Sequence, residues 1–420
     1  MKSKKRAAKK QVGITVPEEI GLIDDIQKSL FEKVLSLGIE SYLELIEDDI
    51  ALICGERYKH ISGREFTRWS SIETPVILGG RKIPIRHSRV RNIKDRKEKQ
   101  IESITRYKDK ELLSQRQMEQ MIVGVSTRKY RRSLETGTID AMEPYSDSKS
   151  TVSRNFIIKT QEKLEAWRNE PIKEPYPFLM IDGIVYAKTT VLVALGIDKE
   201  GNKKALGAWE GSTENSRVCI DLIQSLVDRG FDVSACKLAI IDGGKALRKA
   251  LDEVFGKDIL IQRCQVHKKR NVADYLPKEK RETAKQAMSE AYNAENYDAA
   301  KKLLQNTIRW LDKDYPQAAR SLEEGLEETL TLHKLKAHKQ IRKSLGTTNP
   351  IESLNSGIRS VTRRVKRWRN SKMVIRWVCT GIIESEKNFR KINGHEHIYS
   401  LLTNIESFGG KVLAENKQVA

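Results

Sequence analysis

The sequence predicts an α/β protein whose mixed sheet is interrupted by an all-helical stretch and preceded by a mainly helical, basic region. Three observations carry this. Between residues 175 and 267, short apolar runs are joined first by tight turns and then by helix-like segments. From Lys268 to about Leu345 strand patterning vanishes and Ala- and Glu-rich helical texture replaces it. Before Pro171 the chain reads as helix, apart from one basic hairpin.

The bulk numbers bound the function. A chain of 420 residues is expected to fold as two or three units. An apolar fraction of 39% provides for real cores. The balance of 77 Lys+Arg against 57 Asp+Glu leaves a formal +20, which points to a polyanionic partner, above all nucleic acid. No apolar run approaches the ~20 residues that span a bilayer, so a membrane partner is not expected. Met1 to Lys10 is basic without a following apolar segment and does not read as a secretory signal. Five scattered cysteines suit free thiols in a reducing cytoplasm better than a disulfide framework.

In order along the chain, about Ile14 to Ile53 has the mixed three- and four-residue apolar spacing of a helix. Gly79-Gly80 separates two β-like runs, Thr74–Leu78 and Lys82–Ile85, as a hairpin would. Residues 81–100 hold nine Lys/Arg and two acidic residues, which reads either as a phosphate-contacting surface or as a solvated face. Helices are expected over Gln115–Val123, over Thr127–Leu134 after Ser126, and from near Ser150 to Trp167. Three such helices with a basic last member fit a helix-turn-helix or a small bundle. Pro171, Pro175 and Pro177 then mark a linker.

The strands follow. Phe178–Ile181 ends in Asp182-Gly183; Thr189–Ile197 and Lys204–Trp209 are joined by the turn Asp198–Asn202. A helix over Asn215–Arg229 stops at Gly230; Leu238–Ile241 ends in Asp242-Gly243-Gly244; a further helix closes at Gly256 before a fifth strand, Ile259–Arg263. Helices are expected over Arg281–Ala291, Tyr297–Trp310 and Ala318–Leu330, and from Pro350 to about Arg390. This gives domains of 1–110 (helical and basic hairpin), 111–170 (helix-turn-helix-like), 175–267 (first part of the α/β core), 268–345 (all-helical insertion), 346–392 (last helices of that core) and 393–420 (a tail in which His395 and His397 are incidental).

The candidate chemistry rests on carboxylates. Asp182 and Asp242 each sit where an apolar strand stops, the place where α/β sheets gather functional side chains. Two neighbouring carboxylates repel unless a cation neutralises them, and hard oxygen ligands suit magnesium or manganese. Either Asp-Gly read alone is equally a turn. Glu352 reads as the third position of a helix capped by Asn349, closing a capping box. On that helix Arg359, Arg363 and Lys366 follow on its face. The run Arg363-Arg364-Val365-Lys366-Arg367-Trp368-Arg369, with Trp377, joins phosphate-binding charge to rings that would stack on bases or lie in the core.

These residues resemble a known family, the mutator-type transposases of bacterial insertion sequences, within the ribonuclease-H-like DDE recombinases. The likeness is carried by Ile181-Asp182-Gly183, by Val193–Asp198 through Leu206–Asn215, by Ile241-Asp242-Gly243-Gly244, by Gln262–Val272 and by Thr347–Asn355. The resemblance implies a ribonuclease-H-like sheet and a catalytic, metal-holding triad of Asp182, Asp242 and Glu352. The cofactor it implies is two Mg²⁺ ions, with Mn²⁺ able to substitute. It implies that 268–345 is the insertion separating the second and third acids, and that Cys264-x-x-His267 is a structural signature; one such pair without a second is a poor zinc site. Arg263, His267, Lys268 and Asn355 in these segments, and Arg359, Arg363, Lys366 and Arg367 beyond them, are the candidates for contact with DNA. The implied partners are double-stranded DNA, as terminal inverted repeats and target, and a second copy in a dimer or larger assembly on paired ends, in the bacterial cytoplasm at the nucleoid. Two rivals remain: a nuclease that cuts without joining, and a catalytically silent regulator, which is expected to have lost an acidic residue.

Overall fold

The computed structural model describes residues 18–59, 61–78, 81–107, 111–127, 129–130, 148–211 and 215–418. They form two compact units that divide after Lys159.

The first unit opens with helix α1 (Glu18–Cys54). Its Ile39, Tyr42, Ile46, Ile50 and Cys54 recur every three or four residues, so they line one stripe. That stripe buries Val76, Ile83, Ile85 and Val90 of an antiparallel hairpin, β1 (Phe66–Leu78) and β2 (Arg81–Asn92), with Ile101 and Ile104 beyond it. Both strands run well past the expected 74–78 and 82–85. A two-residue strand, β3 (Glu98–Lys99), pairs with β2. The hairpin register shifts between Arg68↔Val90 and Ser71↔Ser88, so Trp69 and Ser70 together stand opposite Arg89. This is a β-bulge, which turns a ribbon and re-aims its side chains. Helices α2 (Glu102–Tyr107), α3 (Glu111–Ile122) and α4 (Lys149–Arg168) follow, the last of which continues past the unit boundary. Most of the expected helix at 127–134 falls outside the described residues, and the Gly79-Gly80 turn falls wholly outside them.

The second unit is built on a five-stranded mixed sheet. Its strands are β4 (Phe178–Tyr186), β5 (Thr189–Ile197), β6 (Lys203–Glu210), β7 (Leu238–Ile241) and β8 (Leu260–Arg263). The order is β6-β5-β4-β7-β8; β6, β5 and β4 are antiparallel, while β4, β7 and β8 are parallel. Each strand is apolar on both faces, and the period of two divides its residues between two cores. Leu179, Ile181, Ala239 and Ile241 face helices α5 (Ser216–Asp228) and α6 (Lys245–Phe255). Phe178, Met180, Leu238 and Ile240 face the other side, where α14 (Asn349–Thr362) and α15 (Ser371–Glu386) bring Ile351, Leu354, Ile358, Val374 and Val378.

Between β8 and α14 the chain is entirely helical: α7 (Gln265–Asp274), α8 (Lys278–Tyr292), α9 (Tyr297–Asp314), α10 (Pro316–Glu323), and the short α11 (Leu326–Thr329), α12 (Thr331–Lys334) and α13 (Lys339–Leu345). Helices α7 to α10 close a core of their own around Val272, Met288, Leu304, Leu311 and Leu322.

Two expectations fail here. The single helical region from Pro350 to Arg390 is two helices broken at 363–370, where the side chain of Asn370 accepts the Met373 amide at 2.9 Å and starts α15. The stretch after 393, expected as a tail, forms helix α16 (Ile398–Gln418), and Ile398, Leu401 and Ile405 enter the sheet core. His397 is correspondingly seated, its ring 3.6 Å from that of His338.

Candidate active site

Asp182 does not end its strand as expected but sits midway along β4, immediately after Ile181, because pairing with β5 continues to Tyr186. Asp242 follows Ile241 at the end of β7, and Ile181 and Ile241 are register partners in a parallel pair. Strand alternation gives both acids the parity of Met180 and Ile240, which face the α14 side of the sheet. Asp182 is 5% exposed. Burial raises its carboxyl pKa and the negative charge of Asp242 adds to the rise; the charge of His267 and hydrogen bonds from Thr348 and the Gly183 amide oppose it. That amide donates to Asp182 Oδ1 at 2.8 Å.

Asp242 takes the turn role that Asp-Gly offers. Its Oδ1 accepts the Gly244 amide at 2.9 Å, closing a turn in which Gly243 takes φ +96°. A Cβ at Gly243 would fall on the Nε of Arg263, so close approach and positive φ both require glycine there.

The Cys264-x-x-His267 pair braces this centre. Cys264 is fully buried at the N-terminus of α7, and its Sγ lies 3.4 Å from the Thr348 amide and 3.5 Å from the Thr348 hydroxyl. That hydroxyl is 3.4 Å from His267 Nδ1. Hydrogen bonding to Cys264 and the charges of Asp182, Cys264 and Asp242 outweigh burial and lift His267 to about 9. Burial pushes the Cys264 thiol up, but His267 and Thr348 outweigh it and hold the pKa below the ordinary thiol value. An imidazolium therefore stands beside two carboxylates near neutral pH, offsetting part of their repulsion.

Glu352 does not close a capping box. The helix cap falls on Thr348 rather than Asn349, and the Glu352 amide bonds the Thr348 carbonyl at 3.1 Å within the first turn. Its carboxylate is paired with Arg270 at 3.2 Å, both side chains well exposed. Among the described residues no group of three His, Cys, Asp or Glu side chains stands together as a metal site. The donor chemistry of the two aspartates nonetheless fits a divalent cation: hard oxygens, one of them with its pKa raised by burial and by the charge of the other.

The expected DNA contacts divide. Arg359, Arg363 and Arg367 are exposed. Lys366 is exposed too, but lies in the break after α14 and not on the helical face of Glu352. Arg263 and Lys268 do not face solvent. Arg263, 6% exposed, donates to the Gly243 carbonyl at 2.8 Å and the Glu324 carbonyl at 3.2 Å. Lys268, 1% exposed, donates to the carbonyls of Ser321, at 2.7 Å, and Glu324. Both cations satisfy carbonyls at the end of α10, which is why they are buried. Asn355 is half-buried; its backbone carbonyl accepts from Tyr186 at 3.4 Å, and its Oδ1 is buried without a protein partner. Trp377 is core, and Trp368 packs edge-on against Tyr186 with ring centroids 6.2 Å apart, so neither ring is presented for base stacking.

Sequence reasoning missed Arg270 and the bridging role of Thr348. Arg270 was legible in part: it follows His267 by three residues on a helix, hence on the same face.

Residues 82–392 match the family described as "Transposase, Mutator family". The transposase for insertion sequence element ISRM5 of Rhizobium meliloti (strain 1021) is 30% identical over 287 residues, 66% of this chain and 68% of that protein. The transposase for insertion sequence element IST2 of Acidithiobacillus ferrooxidans is 30% identical over 220 residues, 52% of this chain and 73% of the relative. That for ISRM3, also of Rhizobium meliloti (strain 1021), is 26% identical over 360 residues and 82% of each protein. None of the described helices is long and apolar enough to cross a membrane. A family match spanning well over half its length settles the kinship: the chain belongs to the Mutator family of transposases.

Proposed function

We propose that this chain cuts DNA at the ends of an insertion sequence and joins the freed ends to a new strand, with Asp182, Asp242 and Glu352 as its catalytic carboxylates on a ribonuclease-H-like sheet. The observation that carries the reading is the placement of Asp182, midway along β4, and Asp242, just past β7, each one residue beyond the register partners Ile181 and Ile241 of parallel neighbours, on the side of the sheet where the helix bearing Glu352 packs. The strand order, with three antiparallel strands continued by two parallel ones, supports the sheet assignment. On this reading 175–267 and 346–392 make up the catalytic core, 268–345 is an insertion into it, and residues 1–170 bind the terminal inverted repeats. Two ends must be held together, so the working form is a dimer or larger assembly.

Phosphoryl transfer asks the protein for positioning and for charge near the reacting phosphate. Asp182 and Asp242 would hold Mg²⁺ (or Mn²⁺), with Glu352 completing the set on leaving Arg270; bound as a pair, such ions activate the attacking oxygen and stabilise the leaving one. Around them His267 steadies the two aspartates, and the exposed Arg359, Arg363, Lys366 and Arg367 supply cations to the DNA backbone.

The test uses DNA carrying both ends that flank the gene, incubated with purified protein and Mg²⁺ or Mn²⁺. Joined strands that vanish in Asp182→Ala support the reading. Cleavage without joining replaces it with a nuclease; sequence-specific binding with no chemistry in either protein replaces it with a silent DNA-binding regulator.

A further inference from the structure

The bulge in β1 aims a large ring at solvent. Trp69 is 49% exposed and is flanked by two guanidinium groups, that of Arg91 at 4.1 Å and that of Arg89 at 5.6 Å from the ring centroid. A single exposed apolar residue needs no explanation, but this one is set apart by what surrounds it. At this end of the sheet Val90 is buried against α1, and Arg68 turns the same way, pairing with Glu47 of α1 at 2.8 Å. Alternation therefore sends Thr67, Trp69, Arg89 and Arg91 to the opposite, open face. Glu98, across the ladder from Arg91, gives its carboxylate to Arg89 at 2.8 Å, leaving the Arg91 charge uncompensated by it. The following turn adds exposed Lys94, Arg96 and Lys97. The face joins an apolar ring, clasped in place, to cations that are already oriented.

We propose that this open face of the first unit's sheet docks in the major groove of double-stranded DNA, with Trp69 against the base edges and Arg91 on the flanking phosphates. The proposal rests on the reading of the protein as one that binds DNA ends, and assigns that binding to a particular surface. A two-stranded ribbon fits the major groove, where thymine methyl groups offer an apolar surface that a ring can recognise. Phosphate contacts position, and base contacts specify. Trp69 should therefore govern sequence preference, whereas Arg91 should govern affinity for any sequence.

Fluorescence anisotropy with the full chain would compare labelled duplexes from each flank of the gene with a scrambled duplex of equal composition, across a salt series. Trp69→Ala is expected to lose ~tenfold or more in affinity for the end duplex, to bind the scrambled duplex as wild type does, and to regain part of the preference as Trp69→Phe. Arg91→Gln is expected to weaken both duplexes alike and to reduce the salt slope by about one. If wild type prefers the end duplex and a folded Trp69→Ala keeps that preference, this surface is not the reader, although the transposase reading stands. If wild type shows no preference, end recognition by this chain falls, and the assignment falls with it. Should Trp69→Ala melt early by circular dichroism, Arg91→Gln decides: wild-type affinity and salt slope in that variant overturn the proposal.

Discussion

Asp182 is fixed by a backbone ladder and Asp242 by the turn that closes directly after β7, whereas Glu352 is placed by a helix and an exposed ion pair. Asp182 cannot move without breaking its pairing with β5, nor Asp242 without opening the turn held by the Gly244 amide. Glu352 can exchange Arg270 for another partner by rotating its side chain, at the small cost that exposed ion pairs carry. Proximity of like charges is tolerated where strands enforce it and a cationic His267 relieves it, and the third carboxylate stays adjustable. The contrast separates a rigid part of the site from a mobile one.

The largest effect should fall on the rigid part. If Asp182 holds a metal ion as proposed, Asp182→Asn, which keeps the shape and removes the charge, is expected to cut strand joining roughly a thousandfold, the several kcal/mol that a lost ligand would forfeit; a joining assay with circular dichroism as fold control checks it. Activity within tenfold of wild type would dissolve the contrast. Next, Gly243→Ala imposes a strained φ and a clash with Arg263, and should cost about 1–3 kcal/mol in urea unfolding. The pH dependence sharpens the role of His267. Its pKa is raised from 6.5 to about 9, so the stability it confers is complete below pH 6.5 and is lost as pH rises towards 9. Urea melts of the metal-free protein at pH 6 and 9.5 should show that loss, and His267→Gln should flatten it. The smallest effect belongs to the mobile part: Arg270→Ala should change unfolding free energy by less than about 1 kcal/mol. A larger loss would mean that Glu352 is anchored and not adjustable.

The sheet was legible because its strands are apolar runs, with marked stops at the Asp198–Asn202 turn and at Asp242-Gly243; Asp182-Gly183 misled, since β4 runs through it to Tyr186. The break after Thr362 was not, since neither Gly nor Pro marks it; the only local signal was Asn370 as a cap, and without it Lys366 was placed on the wrong surface. The burial of Arg263 and Lys268 was beyond reach for another reason. A cation in sequence looks the same whether phosphate or a carbonyl awaits it, and the carbonyls of Ser321 and Glu324 lie more than fifty residues away. In the first unit the period of α1 was readable, but the bulge at Trp69 leaves no compositional mark.

The seat of Arg263 makes it a mechanical linkage. One guanidinium bonds the loop that follows Asp242 and the turn that ends α10, and a glycine in each, Gly243 and Gly325, leaves no slack around it. The end of α10 cannot be displaced without stretching those bonds or dragging the Asp242 loop along. A load applied to that end of the helical block would therefore be felt at the second carboxylate, transmitted by a single side chain acting as a tie rod.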